Sequence, residues 1–195
     1  MITLYHSPQT RSSRFIWLLE ELGEPYGIEY VTIRRGDGTG QPDPKNAHPE
    51  GKVPALVHDG RLIMESAAIC LYLSDAFPEA GLGPQVGDPG RGDFLTWLFF
   101  YGGEVEPALI EKFTGRVDKD EREAKSYDQA VTRFERALER GPYILGEAFS
   151  AADVLFGSVV QRGSGMLPQR PAFDAYLERL SSRPAFKAAQ LKDAA

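Results

Sequence analysis

The sequence predicts a mixed α/β unit followed by an all-α unit, and three observations lead to this fold class. Before residue 77, strand-like runs are interrupted by one helical pattern and close in a tight hairpin. A segment dense in Pro and Gly follows at residues 78–90. No convincing strand pattern comes after it. We therefore expect an α/β domain at 1–77, a linker at 78–90 and a helical domain at 91–195.

The first unit opens with a strand, a helix and a second strand. The run ITLYH is rich in β-formers, and RFIWLLEEL places apolar residues at helical spacing before Gly23 ends the pattern. The run IEYVTI at 28–33 predicts the second strand. A helix between two strands implies that the strands are parallel. Residues 34–50, rich in Gly, Pro and Asp, predict an irregular segment with one short helix at most.

A hairpin and a helix complete this unit. The apolar runs PALVH and RLIM flank Asp59-Gly60, a dipeptide typical of two-residue hairpin turns. The run ESAAICLYLSDAF then predicts a helix over 65–77. Adding the antiparallel hairpin to the parallel pair gives a mixed four-stranded sheet.

The second unit contains only helical patterns. FLTWLFFYGGEVEPALIEKF at 94–113 predicts one long apolar helix, strained at Gly102-Gly103 and at Pro107. REAKSYDQAVTRFERALERG at 122–141 is amphipathic. SAADVLFGSVVQ at 150–161 predicts a buried helix that opens with a capping box between Ser150 and Asp153. PAFDAYLERLSSRPAFKAA at 171–189 predicts two short helices, the second starting at Pro184.

Composition and charge exclude several classes of protein. The net charge of −6 argues against nucleic acid as a partner, because nucleic-acid binders usually carry a basic patch. The single cysteine, Cys70, allows no internal disulfide, and the three histidines lack the spacing of a helical metal pair, so we expect no metal. No 18-residue apolar run predicts a membrane span, and the N-terminus does not resemble a secretory signal. We expect a cytoplasmic protein.

Two pairs of adjacent residues, the Val-Pro step at 53–54 and the Glu-Ser step at 65–66, are suited to holding a peptide-like ligand. Pro54 cannot donate to a sheet ladder, which leaves Val53 free to offer its own N–H and C=O to an extended peptide. Glu65 and Ser66 lie where a helix begins, a place that favours an anionic group. Ser66 can donate to a carboxylate, and Glu65 can accept from an ammonium group. The alternative is that Glu65 and Ser66 merely start a helix.

These steps lie within GKVPALVHDGRLIMESAAICLYL, residues 51–73, which resembles the cytosolic glutathione transferases. The Val-Pro-Ala-Leu loop, the Glu-Ser step and FSAADVLFGSVV at 149–160 each support the resemblance. The opening SPQTRSSR is similar to the branch common in bacteria and fungi, here with hydroxyl residues and no cysteine. The resemblance implies a thioredoxin-like N-terminal domain, a helical C-terminal domain, a homodimer and a cis Val53–Pro54 bond.

The resemblance also implies how glutathione binds as the co-substrate. Val53, held by Pro54, would pair with the cysteinyl backbone, and Glu65 and Ser66 would hold the γ-glutamyl end. Lys52 and His48 would approach the glycyl carboxylate.

The residue that activates the thiol is expected in the turn after the first strand, where the family places a donor. The candidates from the residues are Tyr5, Ser7, Thr10, Ser12 and Ser13. When the turn is matched to the branches that use serine, Thr10 is the first choice and Ser12 the second. Helix capping is the alternative role for both. The absence of cysteine from this turn disfavours mixed-disulfide chemistry.

Aromatic residues of the first helix after the linker are candidates for the wall of an electrophile pocket. Tyr101, with its polar tip, and Trp97 are named by the resemblance, and core packing is the alternative for Trp97. The predicted activity is attack of the glutathione thiolate on a hydrophobic small-molecule electrophile, with peroxide reduction as a second reaction of the same site. Two alternatives stay open: a non-catalytic glutathione-binding or scaffold protein, and a glutathione-dependent isomerase or disulfide reductase.

Overall fold

The computed structural model describes residues 1–163 and 165–193. It contains four strands and, within these ranges, eight α-helices. The strands are β1 (Ile2–His6), β2 (Tyr26–Tyr30), β3 (Ala55–His58) and β4 (Arg61–Ile63). The helices are α1 (Ser13–Leu22), α2 (Ser66–Ala76), α3 (Arg91–Phe100), α4 (Glu106–Phe113), α5 (Glu121–Arg140), α6 (Ala151–Arg162), α7 (Pro171–Ser181) and α8 (Pro184–Asp193).

The strands form one mixed sheet in the order β2-β1-β3-β4, which confirms the predicted fold class. β1 and β2 are parallel, whereas β3 is antiparallel to both β1 and β4. The second strand begins and ends earlier than the sequence pattern indicated. The N–H of Val31 still donates to the His6 carbonyl at 2.8 Å. Since His6 is the last residue of β1, the chain after Val31 has no strand to pair with and β2 ends.

No helix forms in residues 31–54, and hydrogen bonds from short polar side chains hold this segment instead. Asp37 accepts from the N–H and the hydroxyl of Thr39, which fixes a tight turn. Asn46 donates to the carbonyl of Lys52 at 2.9 Å and closes the loop that leads to β3. These side-chain hydrogen bonds therefore determine the conformation of the loop that precedes β3.

The long helix predicted at 94–113 is continuous but changes its winding in the middle. A π-helical turn at Tyr101–Val105 joins α3 to α4. Gly102 and Gly103 lie in this turn, and Pro107 lacks the N–H that a regular α-helix would donate to the Gly103 carbonyl. The predicted strain therefore appears as a change in helical register and not as a break.

The hydrophobic core is continuous between the sheet and the helical half. The Trp17 ring on α1 meets Phe186 of α8 edge-on, with centroids 4.9 Å apart, and lies 6.0 Å from Phe149. The Cys70 thiol is fully buried in this core, and burial raises its pKa to about 12.

Among the described residues, no helix is both long and apolar enough to cross a bilayer.

The predicted capping box at the start of α6 is present and is extended by two further donors. Asp153 accepts from the N–H and hydroxyl of Ser150, from the N–H of Ile144 at 2.8 Å and from the Tyr176 hydroxyl at 2.7 Å. Burial raises the pKa of Asp153 to about 6, although all four of these hydrogen bonds act in the opposite direction. This carboxylate joins three separate parts of the helical half.

Candidate active site

The Val53–Pro54 peptide bond is cis, as the family resemblance implied. Pro54 is buried and lies immediately before β3, whose pairing with β1 begins at Ala55. Val53 lies outside this ladder, and among the described residues its N–H and C=O have no hydrogen-bond partner. Both main-chain groups of Val53 are therefore available to an extended peptide.

The Glu-Ser step lies next to this loop and combines backbone strain with a helix start. The antiparallel pairing of β3 with β4 ends at Leu56 and Ile63, and Glu65 lies two residues beyond Ile63. Glu65 has φ +66°, a conformation that costs a residue with a side chain about 1–3 kcal/mol. Its side chain is exposed, while Ser66 is largely buried as the first residue of α2. No described residue makes a hydrogen bond to the Ser66 hydroxyl, so its donor is free.

Lys52 and His48 lie on the loop before Val53. Lys52 pairs with Glu50, and this contact together with the charge of the nearby Glu65 raises the pKa of Lys52. His48 accepts the N–H of Glu50 on Nδ1 at 3.1 Å, which places the proton of the neutral ring on Nε2. Both side chains thus have an N–H donor to offer to an anion.

The turn between β1 and α1 contains a compact hydroxyl network. The Thr10 and Ser12 hydroxyl oxygens lie 2.7 Å apart, and Thr10 Oγ1 is also 2.7 Å from the Ser7 carbonyl. Ser12 Oγ accepts the N–H of Ser7 at 3.1 Å and lies 2.9 Å from His6 Nδ1. Ser12 makes no capping hydrogen bond with its side chain, so the capping alternative does not describe its role.

Burial separates the two candidate hydroxyls. Ser12 and His6 are 0% exposed, whereas Thr10 is half-buried at the rim of the turn. The N–H groups of Thr10 and Arg11 have no partner among the described residues. The start of α1 therefore presents one hydroxyl and two free N–H donors.

Charged residues connect this turn to α4. Glu106 Oε1 accepts from Arg11 Nε at 2.8 Å and lies 3.5 Å from Nη1 of the buried Arg14. Arg14 Nη1 donates to the Tyr101 hydroxyl at 2.5 Å, while its Nε has no hydrogen-bond partner in the described chain. No periodic pattern in the sequence marks Glu106 as a site residue, because a partly exposed acid on a helix is usually a solvated surface charge.

The two predicted wall residues differ in exposure, although both of their rings pack on Phe156. Tyr101 is 0% exposed beneath Arg14, and burial raises the pKa of its phenol well above the ordinary value. Trp97 lies under Arg133 and lines two open grooves of about 950 and 520 Å³. Neither groove is lined by a residue before Gly81, so neither is formed by the turn, the Val-Pro loop or the Glu-Ser step.

Comparison with known proteins decides the family. The family model for the glutathione S-transferase N-terminal domain matches residues 10–76. Glutathione S-transferase 3 of Schizosaccharomyces pombe is 44% identical over 94% of this chain and 78% of its own. The chain belongs to the glutathione S-transferase family. A glutathione S-transferase from Actinobacillus pleuropneumoniae superposes with a TM-score of 0.86 at 26% identity, covering 99% of this chain and 93% of its own.

A second structural relative shows a ligand of the family. The glutathione S-transferase of a sphingomonad, solved in complex with glutathione, has a TM-score of 0.82 and is 28% identical, with 98% of each chain covered. These matches confirm the resemblance and the thioredoxin-like fold of the N-terminal half. In this glutathione S-transferase, the Val53 loop leads into β3, the Glu65–Ser66 step begins α2, and the turn at Thr10 precedes α1.

Sequence reasoning missed the residues that the second half of the chain brings to the turn. Arg162 at the end of α6 and Asp193 at the end of α8 both contact residues 9–13. Their separation from the turn exceeds 150 positions, and no local pattern marks such a contact. On α4, Ile110 and Phe113 follow Glu106 at helical spacing and are 42% and 78% exposed.

Proposed function

We propose that this glutathione S-transferase binds glutathione along the Val53 loop and the start of α2 and activates its thiol at the turn before α1. One observation carries the proposal: the unpaired main chain of Val53 precedes β3 by two residues, and the strained Glu65 follows β4, its hairpin partner, by two residues. An extended tripeptide can pair with Val53 as an additional strand. The sphingomonad relative that holds glutathione supports this choice of ligand.

The two ends of the tripeptide meet complementary groups in this arrangement. The γ-glutamyl carboxylate accepts from the Ser66 hydroxyl and from the free N–H groups at the start of α2, while its ammonium group faces Glu65. The glycyl carboxylate faces Lys52 and His48. The positions of these four residues are therefore compatible with the glutathione contacts that we propose for them.

The thiol is activated by stabilising its anion, not by a strong base. A free thiol has a pKa near ~8.5, and a shift of one or two units corresponds to roughly 1.4–2.7 kcal/mol. We assign the hydroxyl donor to Thr10, because Ser12 is sealed from solvent behind it. The unpaired N–H groups of Thr10 and Arg11 add to this stabilisation.

The electrophile subsite is best placed on the exposed face of α4. Glu106, Ile110 and Phe113 share one face of this helix, and the ion pair between Arg11 and Glu106 holds that face next to the turn. A hydrophobic electrophile would pack on Ile110 and Phe113 with its reacting atom toward Thr10. This assignment replaces Tyr101 and Trp97, which the structure buries or turns to another groove.

The remaining assignments follow from family membership and stay proposals. Residues 1–77 would form the glutathione-binding domain, 78–90 the linker and 91–195 the domain that supplies the electrophile subsite. A homodimer in the cytoplasm is the arrangement that the family resemblance supports, and light scattering of the purified chain tests the dimer.

Titration calorimetry with glutathione, combined with a conjugation assay on a generic aryl halide, tests the proposal. The double variant Glu65→Ala/Ser66→Ala should lose both binding and conjugation. Exposed Glu79→Ala and Ser126→Ala are matched controls and should retain both. If the double variant still binds and conjugates, the site is wrong. Binding without any rate above background favours the non-catalytic alternative, and a substrate panel separates conjugation, peroxide reduction and isomerisation.

A further inference from the structure

The last helix lies antiparallel along α1 and brings its end to the thiol-activating turn. At one end of the pair, Arg183 on α8 makes two hydrogen bonds to the Glu21 carboxylate at 2.6 and 2.8 Å. Between the ends, the Phe186 ring packs on Trp17. At the other end, Asp193 meets the first residue of α1, Ser13. The position of Asp193 is therefore fixed along the whole length of α8.

The Asp193 carboxylate contacts three residues of the turn and of β1. Its Oδ1 accepts from the Ser13 hydroxyl and, at 3.4 Å, from the N–H of Gln9, a residue in the left-handed region at φ +57°. The same oxygen lies 3.3 Å from His6 Nε2, which is close enough for a charge contact but is not aligned as a hydrogen bond. Asp193 is only 8% exposed.

Arg162 links this carboxylate to the residue assigned to thiol activation. Its Nη2 donates to Asp193 Oδ2 at 2.9 Å, and its Nη1 donates to the main-chain carbonyl of Thr10. One planar guanidinium group thus joins α6, α8 and the turn. Lysine keeps the charge but offers a single nitrogen in place of the two that make these contacts.

We propose that Asp193 and Arg162 are positioning residues that hold the Thr10 hydroxyl in place for the glutathione sulfur. The proposal rests on the proposed function, in which Thr10 donates to that sulfur. Asp193 holds the backbone before Thr10 through Gln9 and the helix start after it through Ser13, and Arg162 holds Thr10 itself. The strained backbone of Gln9 needs such support, because its conformation is sparsely populated on its own.

The same contacts set the hydrogen bonding of both hydroxyl groups in the turn. A carboxylate beside His6 Nε2 favours the tautomer with the proton on that nitrogen, so Nδ1 accepts from the Ser12 hydroxyl at 2.9 Å. The only proton of the Ser12 hydroxyl is then committed to His6. Thr10 Oγ1 accepts the N–H of Ser12 at 3.2 Å and donates its own proton to the Ser7 carbonyl at 2.7 Å, so it donates to the sulfur by turning its O–H away from that carbonyl. Asp193 therefore acts on Thr10 through His6 and Ser12 as well as through the backbone.

A simple charge effect predicts the opposite result from positioning. Asp193 is an anion close to the start of α1, so its charge alone disfavours a thiolate at that place, and its removal would lower the pH at which the bound thiol ionises. Loss of positioning would raise that pH, because Thr10 would no longer be held against the sulfur. The sign of the change distinguishes the two roles.

The experiment follows the ultraviolet absorbance of the bound thiolate against pH in the full chain saturated with glutathione. Asp193→Ala should raise the ionisation midpoint by about one pH unit, which is about tenfold less thiolate below the midpoint. It should lower kcat while the KM for glutathione stays within about twofold. Asp193→Asn keeps an acceptor for Ser13 and Gln9 and should recover part of the loss. The exposed Lys187→Ala on the same helix is the control and should match the unaltered chain.

If Asp193→Ala does not fold, Arg162→Lys provides a second test of the positioning role. It keeps the positive charge but loses one of the two contacts, so positioning predicts a raised midpoint and charge alone predicts none. A midpoint that is unchanged or lowered in the folded variants overturns the inference while leaving glutathione binding intact. If the unaltered chain fails to bind glutathione in calorimetry, the proposed function itself has failed.

Discussion

The hydroxyl oxygens of Thr10 and Ser12 lie 2.7 Å apart, yet only Thr10 reaches the surface of the turn. Ser12 is enclosed between Ser7, His6 and Thr10. Two residues that look interchangeable in the sequence therefore differ in the structure: Thr10 lies at the rim of the turn, and Ser12 lies buried beneath it.

Thr10→Ala should remove the hydroxyl that stabilises the thiolate. We expect the bound thiol to ionise about one to two pH units higher, and conjugation near neutral pH to fall roughly 10- to 100-fold. Thr10→Ser keeps the hydroxyl and should retain most of the activity. The pH dependence of kcat with an aryl halide checks this, and equal profiles for Thr10→Ala and the unaltered chain would remove Thr10 from the mechanism.

Ser12→Ala should act on stability more than on glutathione binding. The variant leaves the buried N–H of Ser7 and the His6 ring without their common partner, and a lost buried hydrogen bond costs about 1–3 kcal/mol. Urea unfolding measures this loss. A variant that is as stable as the unaltered chain but cannot ionise the thiol would make Ser12 the activating residue.

Phe113→Ala and Ile110→Ala should weaken the electrophile subsite without affecting glutathione. Both side chains are exposed apolar surface, so their truncation should raise the KM for a hydrophobic aryl halide several-fold with little loss of stability. Calorimetry with glutathione should give an unchanged Kd. Val86→Ala, which truncates an exposed residue of the 78–90 segment, is the matched control. Unchanged KM values would place the electrophile elsewhere.

Asp153→Ala should destabilise the helical half strongly. It leaves buried donors of Ile144, Ser150 and Tyr176 unpaired, which we expect to cost about 3–5 kcal/mol in total. Asp153→Asn keeps one acceptor oxygen and should lose less. Denaturant unfolding of the three proteins provides the comparison, and a cost below 1 kcal/mol, roughly that of one ordinary hydrogen bond, would contradict this account.

Acid should destabilise the chain partly through His6. Burial lowers the pKa of this ring, with Arg162 acting in the same direction and Asp193 in the opposite one, while Tyr30 contributes only its ring edge. The folded chain therefore binds fewer protons here than the unfolded chain. The stabilising contribution is complete above about pH 6.5 and is lost as the pH falls, by at most about 1.4 kcal/mol per pH unit. His6→Gln should show a shallower decline in unfolding free energy between pH 7.5 and 5.

The local elements of the fold were predictable because each carries its own signal. Helical spacing and Gly23 mark α1, Asp59-Gly60 marks the hairpin, and Pro184 marks the start of α8. At Gly102-Gly103 the sequence predicted strain but not the π-helical turn. Composition does not show whether a strained helix bends, breaks or changes register. The predicted end of β2 was wrong because the place where β2 stops pairing depends on the length of β1.

The candidate site was predictable only where it is built from contiguous residues. The Val53–Pro54 loop and Glu65–Ser66 could be singled out because each proposed role depends on two adjacent residues. Trp97 and Tyr101 were proposed as aromatic residues on the helix that the resemblance assigns to the pocket, and no sequence pattern shows whether such a ring lines a pocket or packs in the core. Arg162 and Asp193 reach the turn only through tertiary packing.

The most direct measurement is a crystal structure of this chain with glutathione bound. We expect the cysteinyl backbone paired with the N–H and C=O of Val53, the γ-glutamyl carboxylate at Ser66 and the sulfur within hydrogen-bond distance of the Thr10 hydroxyl. Glutathione found in another cleft, or a sulfur that faces away from the turn before α1, would contradict the account.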